Sequence, residues 1–103
     1  MMGADYDIKP ERIAAIEAIR QQFKGDSAAT QRDRLLMILR EIGPVSTFEL
    51  SRFGDIYYPP SRKHELVAEG HDITTTRRVI RTESGERHSL GVYALAPGQK
   101  AAG

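Results

Sequence analysis

The segment GPVSTFELSRFGDIYYPPSRKHELVAEG (Gly43–Gly70) carries the start and stop signals of two short helices. Ser46 and Glu49 have the spacing of a capping box, in which each side chain accepts a hydrogen bond from the backbone amide of the other residue. This spacing predicts a helix over Thr47–Phe53, and Gly54 marks its end.

The second helix of this segment follows the sequence Tyr57-Tyr58-Pro59-Pro60. Because proline is favoured at the first helical position, we expect this helix to begin near Pro60 or Ser61. Gly70 is a suitable residue to end it. The connection between the two helices is longer than the tight turn that usually joins such a pair.

Two earlier helices are predicted by apolar residues that recur at helical spacing. The first extends from Pro10 to about Lys24, and the second from Gln31 to Ile42 with Thr30 as its N-cap. Both are amphipathic and must bury one face. Their apolar stripes are Ile13, Ile16, Ile19 and Phe23 in the first helix, and Leu35, Leu36, Leu39 and Ile42 in the second.

A β-hairpin is predicted after Gly70, since two segments rich in strand-forming residues, Asp72–Thr82 and Arg87–Leu95, flank the turn Glu83-Ser84-Gly85. A three-residue loop with Gly85 in the left-handed conformation fixes the register of the two strands. The resulting pairs are Thr82 with Glu86, Thr75 with Tyr93, and Ile73 with Leu95. The last four of these residues form the predicted core face.

The opposite face of the hairpin is more apolar than a fully solvated sheet face should be. It carries Thr74, Thr76, Arg78 and Ile80 on one strand, and His88, Leu90, Val92 and Ala94 on the other. We infer that the N-terminal helix or a second subunit covers part of this face, and extensive exposure of Leu90 and Val92 would contradict that inference. The N-terminal helix itself has two open alternatives, which are dimerisation and packing on its own domain.

The composition is that of one globular domain, with 103 residues of which 40% are hydrophobic and 28% are charged. We expect an N-terminal helix and linker over 1–29, the main domain over 30–95, and a disordered tail over 96–103. The absence of cysteine excludes disulfides and thiolate metal sites, and it suits a reducing compartment. No signal peptide or membrane-spanning run is predicted, so a cytoplasmic location without membrane contact is expected.

The net charge of +1 gives only weak support for a nucleic-acid partner. The basic residues are unevenly distributed, however, with a slight acidic excess before Arg52 and a basic excess after it. The basic excess of the second half is concentrated in the run Arg62-Lys63-His64 and in Arg77, Arg78, Arg81 and Arg87. A charge cluster is usually a solvated face, so this distribution favours a nucleic-acid partner only slightly.

Several short pieces of the chain resemble a winged helix-turn-helix domain, and more narrowly the small helix-turn-helix proteins of phages and prophages. The matching pieces are Thr30-Gln31-Arg32, Gly43–Thr47 with Glu49-Leu50, Arg62 with Glu65-Leu66, Gly70–Ile73, and Arg87-His88 with Gly91, Tyr93 and Leu95. The resemblance implies an α+β fold with a three-helix core, a C-terminal β-hairpin wing and an extra N-terminal amphipathic helix. It also implies double-stranded DNA as the partner and a transcriptional or phage-type regulatory role.

On this resemblance the third core helix enters the major groove and the wing lies on the neighbouring backbone. Base contacts are then expected from the start of that helix, and phosphate contacts from the wing and from the start of the preceding helix. The candidate DNA-binding residues are Ser46, Thr47, Ser61, Arg62, Lys63, His64, Arg78, Arg81 and Arg87. A homodimer through the N-terminal helix or the second hairpin face is a further expectation.

Several candidates have a plain structural alternative. Arg62 could pair with Glu65 or Glu49, and His64 could be an ordinary solvated residue. Arg81 and the other wing arginines could pair with the acids of the hairpin tip, which contributes only about 0–1 kcal/mol when exposed. Lys63 stands where related sequences tend to be apolar, so its aliphatic stem could lie over the core with the ammonium in solvent.

An enzymatic role is not expected, and neither a cofactor nor a metal is predicted. His64-Glu65 followed by His71 has the wrong spacing for a zinc protease helix, in which the two histidines lie four residues apart. No phosphate-binding loop, nucleophile elbow or pair of catalytic carboxylates is recognisable. The main alternative to DNA binding is a non-catalytic winged helix that binds another protein, which the near-zero net charge and the apolar second hairpin face favour.

Overall fold

A computed structural model describes residues 8–81 and 84–96 of the chain. Four helices and three strands follow one another in these residues. In chain order they are α1 Pro10–Gln22, α2 Ala28–Glu41, β1 Val45–Ser46, α3 Thr47–Arg52, α4 Pro59–Ala68, β2 Ile73–Arg81 and β3 Arg87–Leu95. The predicted α+β class, with a helical core and a C-terminal hairpin, is confirmed.

The start of α2 differs from the sequence prediction. Its N-cap is Ser27, whose hydroxyl accepts a hydrogen bond from the amide of Thr30 at 3.1 Å. The prediction that Thr30 is the N-cap was therefore wrong. The helix begins three residues earlier, because the Ser27 hydroxyl already caps its first turn. Gln31, which is buried, donates from its side chain to the carbonyl of Asp26 at 2.8 Å and so holds the entry to the helix.

The capping box of α3 is confirmed. The amide of Ser46 donates to Glu49 Oε1 at 2.9 Å, and the amide of Glu49 donates to Ser46 Oγ at 3.0 Å. The helix ends at Arg52 with Phe53 as its C-cap, one residue earlier than expected.

Helix α4 begins at Pro59, slightly before the predicted start, with prolines at its first two positions. It ends at Ala68, and Gly70 follows with a φ of +106°. A left-handed residue after a helix end is favourable for glycine because it lacks a Cβ atom.

The predicted register of the hairpin is confirmed over the described residues. Ile73 pairs with Leu95, Thr75 with Tyr93, and the ladder closes at Arg81 and Arg87. Gly85 has the left-handed φ of +88° that the three-residue loop requires. The predicted Thr82–Glu86 pair and the loop residue Glu83 involve positions 82 and 83, which lie outside the described residues.

A short third strand was not predicted. β1 pairs antiparallel with β3, Val45 opposite Tyr93 and Ser46 opposite Val92, which gives the sheet order β1-β3-β2. Two residues are too few to show strand alternation in the sequence. This pairing places the start of α3 beside the base of the hairpin.

The core lies between the helices and one face of this sheet. Ile16 and Ile19 of α1 are buried in the same cluster as the apolar residues of α2, α3 and α4. The stripe of α1 therefore packs on its own domain, which was one of the two alternatives. The buried cluster comprises Ile16, Ile19, Leu35, Ile38, Leu39, Val45, Leu50, Ile56, Leu66, Ile73 and Tyr93.

The predicted core face of the hairpin is only partly correct. Ile73 and Tyr93 are buried and Leu95 packs against the core, but Thr75 is exposed. The reason is that β2 leaves the core directly after Ile73. On the opposite face Ile80 is buried, while Leu90 and Val92 are half-buried. Leu90 and Val92 are therefore not extensively exposed, and the inference that this face is partly covered is not contradicted.

A buried arginine joins the ends of two helices. Arg34 of α2 donates from Nε to the carbonyl of Gly54 at 2.6 Å and from Nη2 to that of Asp55. Its Nη1 donates to the carbonyls of Phe23 and Gly25. The guanidinium therefore closes the end of α1 and the turn after α3, and its burial lowers the pKa of Arg34 below its ordinary value.

None of the helices in the described part of the chain is long and apolar enough to cross a membrane. The segment after Ala96, where a disordered tail is expected, lies outside the described residues.

Candidate nucleic-acid interface

An open groove of about 650 Å³ lies between α4 and the core-side face of the hairpin. Gly91 and Tyr93 of β3 lie on the hairpin side, and α4 presents residues three or four positions apart, which share one helix face. The described residues that line the groove are Thr47, Ser51, Tyr57, Tyr58, Pro59, Pro60, Lys63, His64, Val67, Thr75, Arg77, Ser89, Gly91 and Tyr93. Helix α4 and the hairpin therefore present one common surface.

The lining of this groove is positively charged. Lys63 and His64 of α4 and Arg77 of β2 carry its ionisable nitrogen groups, and none of the described lining residues is a carboxylate. The small net charge of the chain therefore hides an uneven distribution of charge. A polyanion that enters the groove therefore meets basic side chains and no carboxylate among the described lining residues.

The acid of α4, Glu65, and that of its C-cap residue, Glu69, do not line the groove and pair with arginines. Arg32 of α2 donates from Nη1 to Glu65 Oε1 at 3.0 Å, and its Nε lies 3.2 Å from Glu69 Oε2. The hydrogen bond from Arg32 lowers the pKa of Glu65, and the bond from Arg62 lowers it further. These contacts join α4 to α2 and keep both carboxylates away from the groove.

Arg62 forms an ion pair with Glu65, which was the alternative to a DNA contact. Its Nη2 donates to Glu65 Oε2 at 2.7 Å, and its Nε lies 2.7 Å from Glu65 Oε1. Only 16% of its side chain is exposed, and it does not line the groove. The predicted base-contacting role is thus opposed by an ion pair that contains one charge-assisted hydrogen bond.

Lys63 lies over the floor of the groove. Its Nζ is 5.9 Å from the centre of the Tyr93 ring, within the range of a cation–π contact. Lys63 is half-buried, as expected for a stem that lies over the core. Burial raises the pKa of Tyr93 although nearby Arg77 opposes the shift, so the ring presents a neutral phenol to the cation.

The remaining candidates of α4 differ in exposure. His64 is exposed and lines the groove, whereas Ser61 is half-buried and does not. Pro59 and Pro60 have no amide hydrogen, and the amide of Ser61 donates to the carbonyl of Tyr58 at 3.1 Å. The start of α4 consequently offers few backbone donors, and contacts with an anion depend on its side chains.

Ser46 and Thr47, the two candidates at the start of α3, differ in burial and in their position relative to the groove. Ser46 is buried, and its hydroxyl accepts from the Glu49 amide, so capping is the role that the structure gives it. Thr47 is half-buried and lines the groove.

The wing arginines lie on both faces of the hairpin. Arg81 and Arg87 pair with each other across the strands, are exposed, and share the face of Tyr93. Arg78 pairs with Leu90 and lies on the opposite face, away from Arg81 and Arg87. Side chains of neighbouring strand residues point to opposite faces, which places Arg77 instead in the groove.

Sequence reasoning did not select Arg77, Tyr57 or Tyr58 as site residues. The alternation of β2 could have identified Arg77, because it has the same parity as Thr75. The exposure of the two tyrosines, 61% for Tyr57 and 62% for Tyr58, had no signal in the sequence beyond their position before two prolines.

No group of three or more potential metal-ligating side chains occurs in the residues for which the structure is described. The described lining of the groove offers nitrogen side chains, hydroxyl groups and aromatic rings.

Comparison with known proteins identifies the fold. A family model described as a winged helix-turn-helix domain matches residues 30–98. No curated protein matches the chain, and no solved structure matches it. The matched region contains α2 from its third residue onward, together with β1, α3, α4 and the hairpin strands. The chain therefore belongs to the winged helix-turn-helix domain family, a family of DNA-binding domains.

Proposed function

We propose that this protein is a regulator, transcriptional or phage-type, that binds duplex DNA with α4 in the major groove and the hairpin on the adjacent backbone. The observation that carries the proposal is the groove surface, on which α4 and the hairpin present Lys63, His64 and Arg77 without an opposing carboxylate among the described lining residues. Helix-turn-helix domains dock in this manner, with the second helix of the motif reading base edges.

The proposed contacts fall into two classes. His64 is exposed in the middle of α4 and lines the groove, so we assign it to base reading. Lys63 and Arg77 are assigned to phosphates flanking that position. Arg81 and Arg87 extend the phosphate contacts toward the hairpin tip.

Three of the residues predicted from the sequence are left out of this interface. Arg62 is held by Glu65, Ser46 is buried in the capping box, and Arg78 lies on the other face of the hairpin. Thr47 and Ser61 remain candidates at the edge of the contact, through their hydroxyl groups.

The salt dependence of binding tests the proposal. Phosphate contacts release counterions, so the logarithm of the binding constant should fall with the logarithm of salt by about 0.9 per contacted phosphate. With several contacts, affinity for a pool of random duplexes should fall about tenfold or more over a few-fold rise in salt. Millimolar binding that does not respond to salt would refute DNA binding.

A matched pair of lysine variants identifies the surface. Lys63→Ala should weaken binding to every duplex and reduce the salt slope by about 1. Lys9→Ala removes an equal charge from an exposed residue just before α1 and should leave both quantities unchanged. Equal effects of the two variants would mean that only the overall charge matters.

Selection of bound duplexes from a random library would test base reading. His64→Ala should relax the selected sequence at one or two positions while binding is retained, because a lost base contact reduces discrimination by about 1–3 kcal/mol. Unchanged selection in this variant would exclude His64 as a base reader.

The apolar second hairpin face was one of the features that favoured the protein-adaptor alternative. Ile80 is buried there, and Leu90 and Val92 are half-buried, so that face exposes little apolar surface. This observation supports DNA over a protein partner. Dimerisation through this face stays a prediction, and light scattering at increasing concentration would test it.

A further inference from the structure

Two tyrosines stand exposed at the edge of the groove. Tyr57 is 61% exposed and Tyr58 is 62% exposed, although large aromatic side chains usually gain stability by burial. Both side chains line the groove beside Lys63, His64 and Arg77. The core does not account for their position, because Ile56, the residue before them, already fills the interior at this point.

The backbone that carries these rings is held in place from both sides. The amide of Tyr57 donates to Gln31 Oε1 at 2.9 Å, and the side chain of Gln31 is itself fixed by its bond to Asp26. The carbonyl of Tyr58 accepts from the amide of Ser61. Two prolines follow directly and restrict the backbone further. The rings are thus presented from an ordered segment, which lowers the entropy lost when a ligand binds.

The chemistry of the groove combines aromatic faces with cations. Exposed aromatic rings beside a cationic channel are the arrangement that binds the bases and phosphates of unpaired nucleotides, because every base has a stacking face and every nucleotide has an anion. A protein partner would be an alternative for two exposed aromatics alone. The three nitrogen side chains and the lack of carboxylates among the described lining residues favour a nucleotide over a protein surface.

The size of the groove agrees with this ligand. Its volume of about 650 Å³ lies within the range of about 300–1,000 Å³ that is typical of small-ligand sites. A base that leaves a duplex can therefore enter the groove without displacing α4 or the hairpin.

We propose that the groove binds an unpaired nucleotide of the DNA, with its base stacked on Tyr57 or Tyr58 and its phosphate bound by Lys63 and Arg77. This proposal rests on the proposed DNA-binding function and adds to it a preference for duplexes that contain an extruded or bulged base. Extruding a base has a cost of unstacking, which is smallest where the base is already unpaired.

Three labelled DNAs test the proposal with the full chain. They are a blunt duplex, the same duplex with one bulged nucleotide, and the same bulge with an abasic site in place of the base. Fluorescence anisotropy should show about tenfold tighter binding to the bulged duplex than to the blunt one. The abasic bulge should lose this advantage, since it keeps the phosphate but has no base to stack.

Variants of the tyrosines locate the effect. In Tyr57→Ala/Tyr58→Ala the ratio of bulged to blunt affinity should fall to about one, whereas Tyr57→Phe/Tyr58→Phe should keep the ratio. Arg87→Ala, at the hairpin tip outside the groove lining, should lower both affinities in the same proportion. Phe48→Ala, which removes another exposed aromatic that does not line the groove, should leave the ratio unchanged.

The outcomes separate this proposal from the function on which it rests. Equal binding of the blunt and bulged duplexes would overturn the nucleotide site and leave duplex binding intact. Absence of binding to all three DNAs would overturn both. Tight binding of free dAMP, combined with absence of binding to all three DNAs, would show that the groove takes a mononucleotide and not DNA.

Discussion

Arg12 of α1 donates from Nε to Glu49 Oε2 of α3 at 2.6 Å, across 37 residues of sequence. Its Nη2 donates to Glu49 Oε1 at 3.2 Å and to the carbonyl of Pro44 at 2.6 Å. The same carboxylate accepts from the Ser46 amide as part of the capping box. One ion pair therefore joins the N-terminal helix to the start of α3, at the base of the proposed DNA-binding surface.

Removal of Arg12 should destabilise the fold more than an ordinary surface substitution does. Arg12→Ala leaves the carboxylate of Glu49, whose side chain is only 7% exposed, without its cationic partner. We expect a loss of about 2 kcal/mol in the free energy of unfolding, because a buried charge without its partner is costly. Urea titration would measure it, with Glu11→Ala as an exposed control expected to stay within about 0.5 kcal/mol. Equal midpoints for Arg12→Ala and the wild type would contradict the prediction.

The same carboxylate should contribute to acid unfolding. Burial alone would raise the pKa of Glu49, but the hydrogen bonds from Arg12 and from the Ser46 amide outweigh it and hold this pKa below its ordinary value of 4.5. Because the folded-state pKa is the lower one, the stabilisation is complete above about pH 4.5 and is lost as the pH falls through the folded-state value. Glu49→Gln should therefore be less stable at neutral pH and lose less stability below pH 4.5 than the wild type. Parallel stability curves for the two proteins across that window would exclude this role.

The buried guanidinium of Arg34 should not be replaceable by lysine. An ammonium group cannot serve the carbonyls of Phe23, Gly25, Gly54 and Asp55 together, since it lacks the planar fork of donors. We expect Arg34→Lys to lower stability by about 3 kcal/mol, because each buried carbonyl without a donor costs about 1–3 kcal/mol. Arg32→Lys changes an ion-pairing residue of the same helix and should cost less than about 1 kcal/mol. Thermal unfolding would compare the two, and similar losses would argue against a special role for Arg34.

The parts of the fold that the sequence predicted correctly depend on local chemistry. The capping box of α3 is a contact between residues three apart, and its amide and side-chain partners are the expected ones. The hairpin register follows from the conformation of Gly85 and the number of residues in the loop. Such features are specified by neighbouring residues, so they can be read without knowledge of the tertiary fold.

The features that sequence reasoning missed connect distant residues. Arg34 reads as one more polar residue of an amphipathic helix until the ends of α1 and α3 are placed around it. The strand Val45–Ser46 exists only because Tyr93 and Val92 lie beside it. In each case the contacting residue lies far away in the sequence, so no local sequence pattern indicates it.

The candidate site was only partly predicted, because some of its residues depend on contacts with distant parts of the chain. Lys63 and His64 were predicted because polar nitrogen side chains on a helix after a helix-turn-helix connection are conspicuous in the sequence, and both line the groove. Arg62 has the same local character, yet the distant Arg32 and the nearby Glu65 decide its surroundings. Composition cannot show which of two adjacent arginines in a strand faces the groove. That assignment requires the register of the hairpin.

A comparison of Arg77→Ala with Arg78→Ala gives the sharpest test of the DNA-binding face. The two arginines are neighbours in β2 and both are exposed, but Arg77 lines the groove and Arg78 lies on the opposite face. Arg77→Ala should weaken duplex binding about tenfold and reduce the salt slope by about 1, as expected for the loss of one phosphate contact. Arg78→Ala removes the same charge from the next residue, so long-range electrostatics would change equally in both variants. Anisotropy titrations at several salt concentrations would measure both effects. If Arg78→Ala weakened binding as much as Arg77→Ala did, the proposed face would be wrong, because the direction of these side chains is the main difference between the two positions.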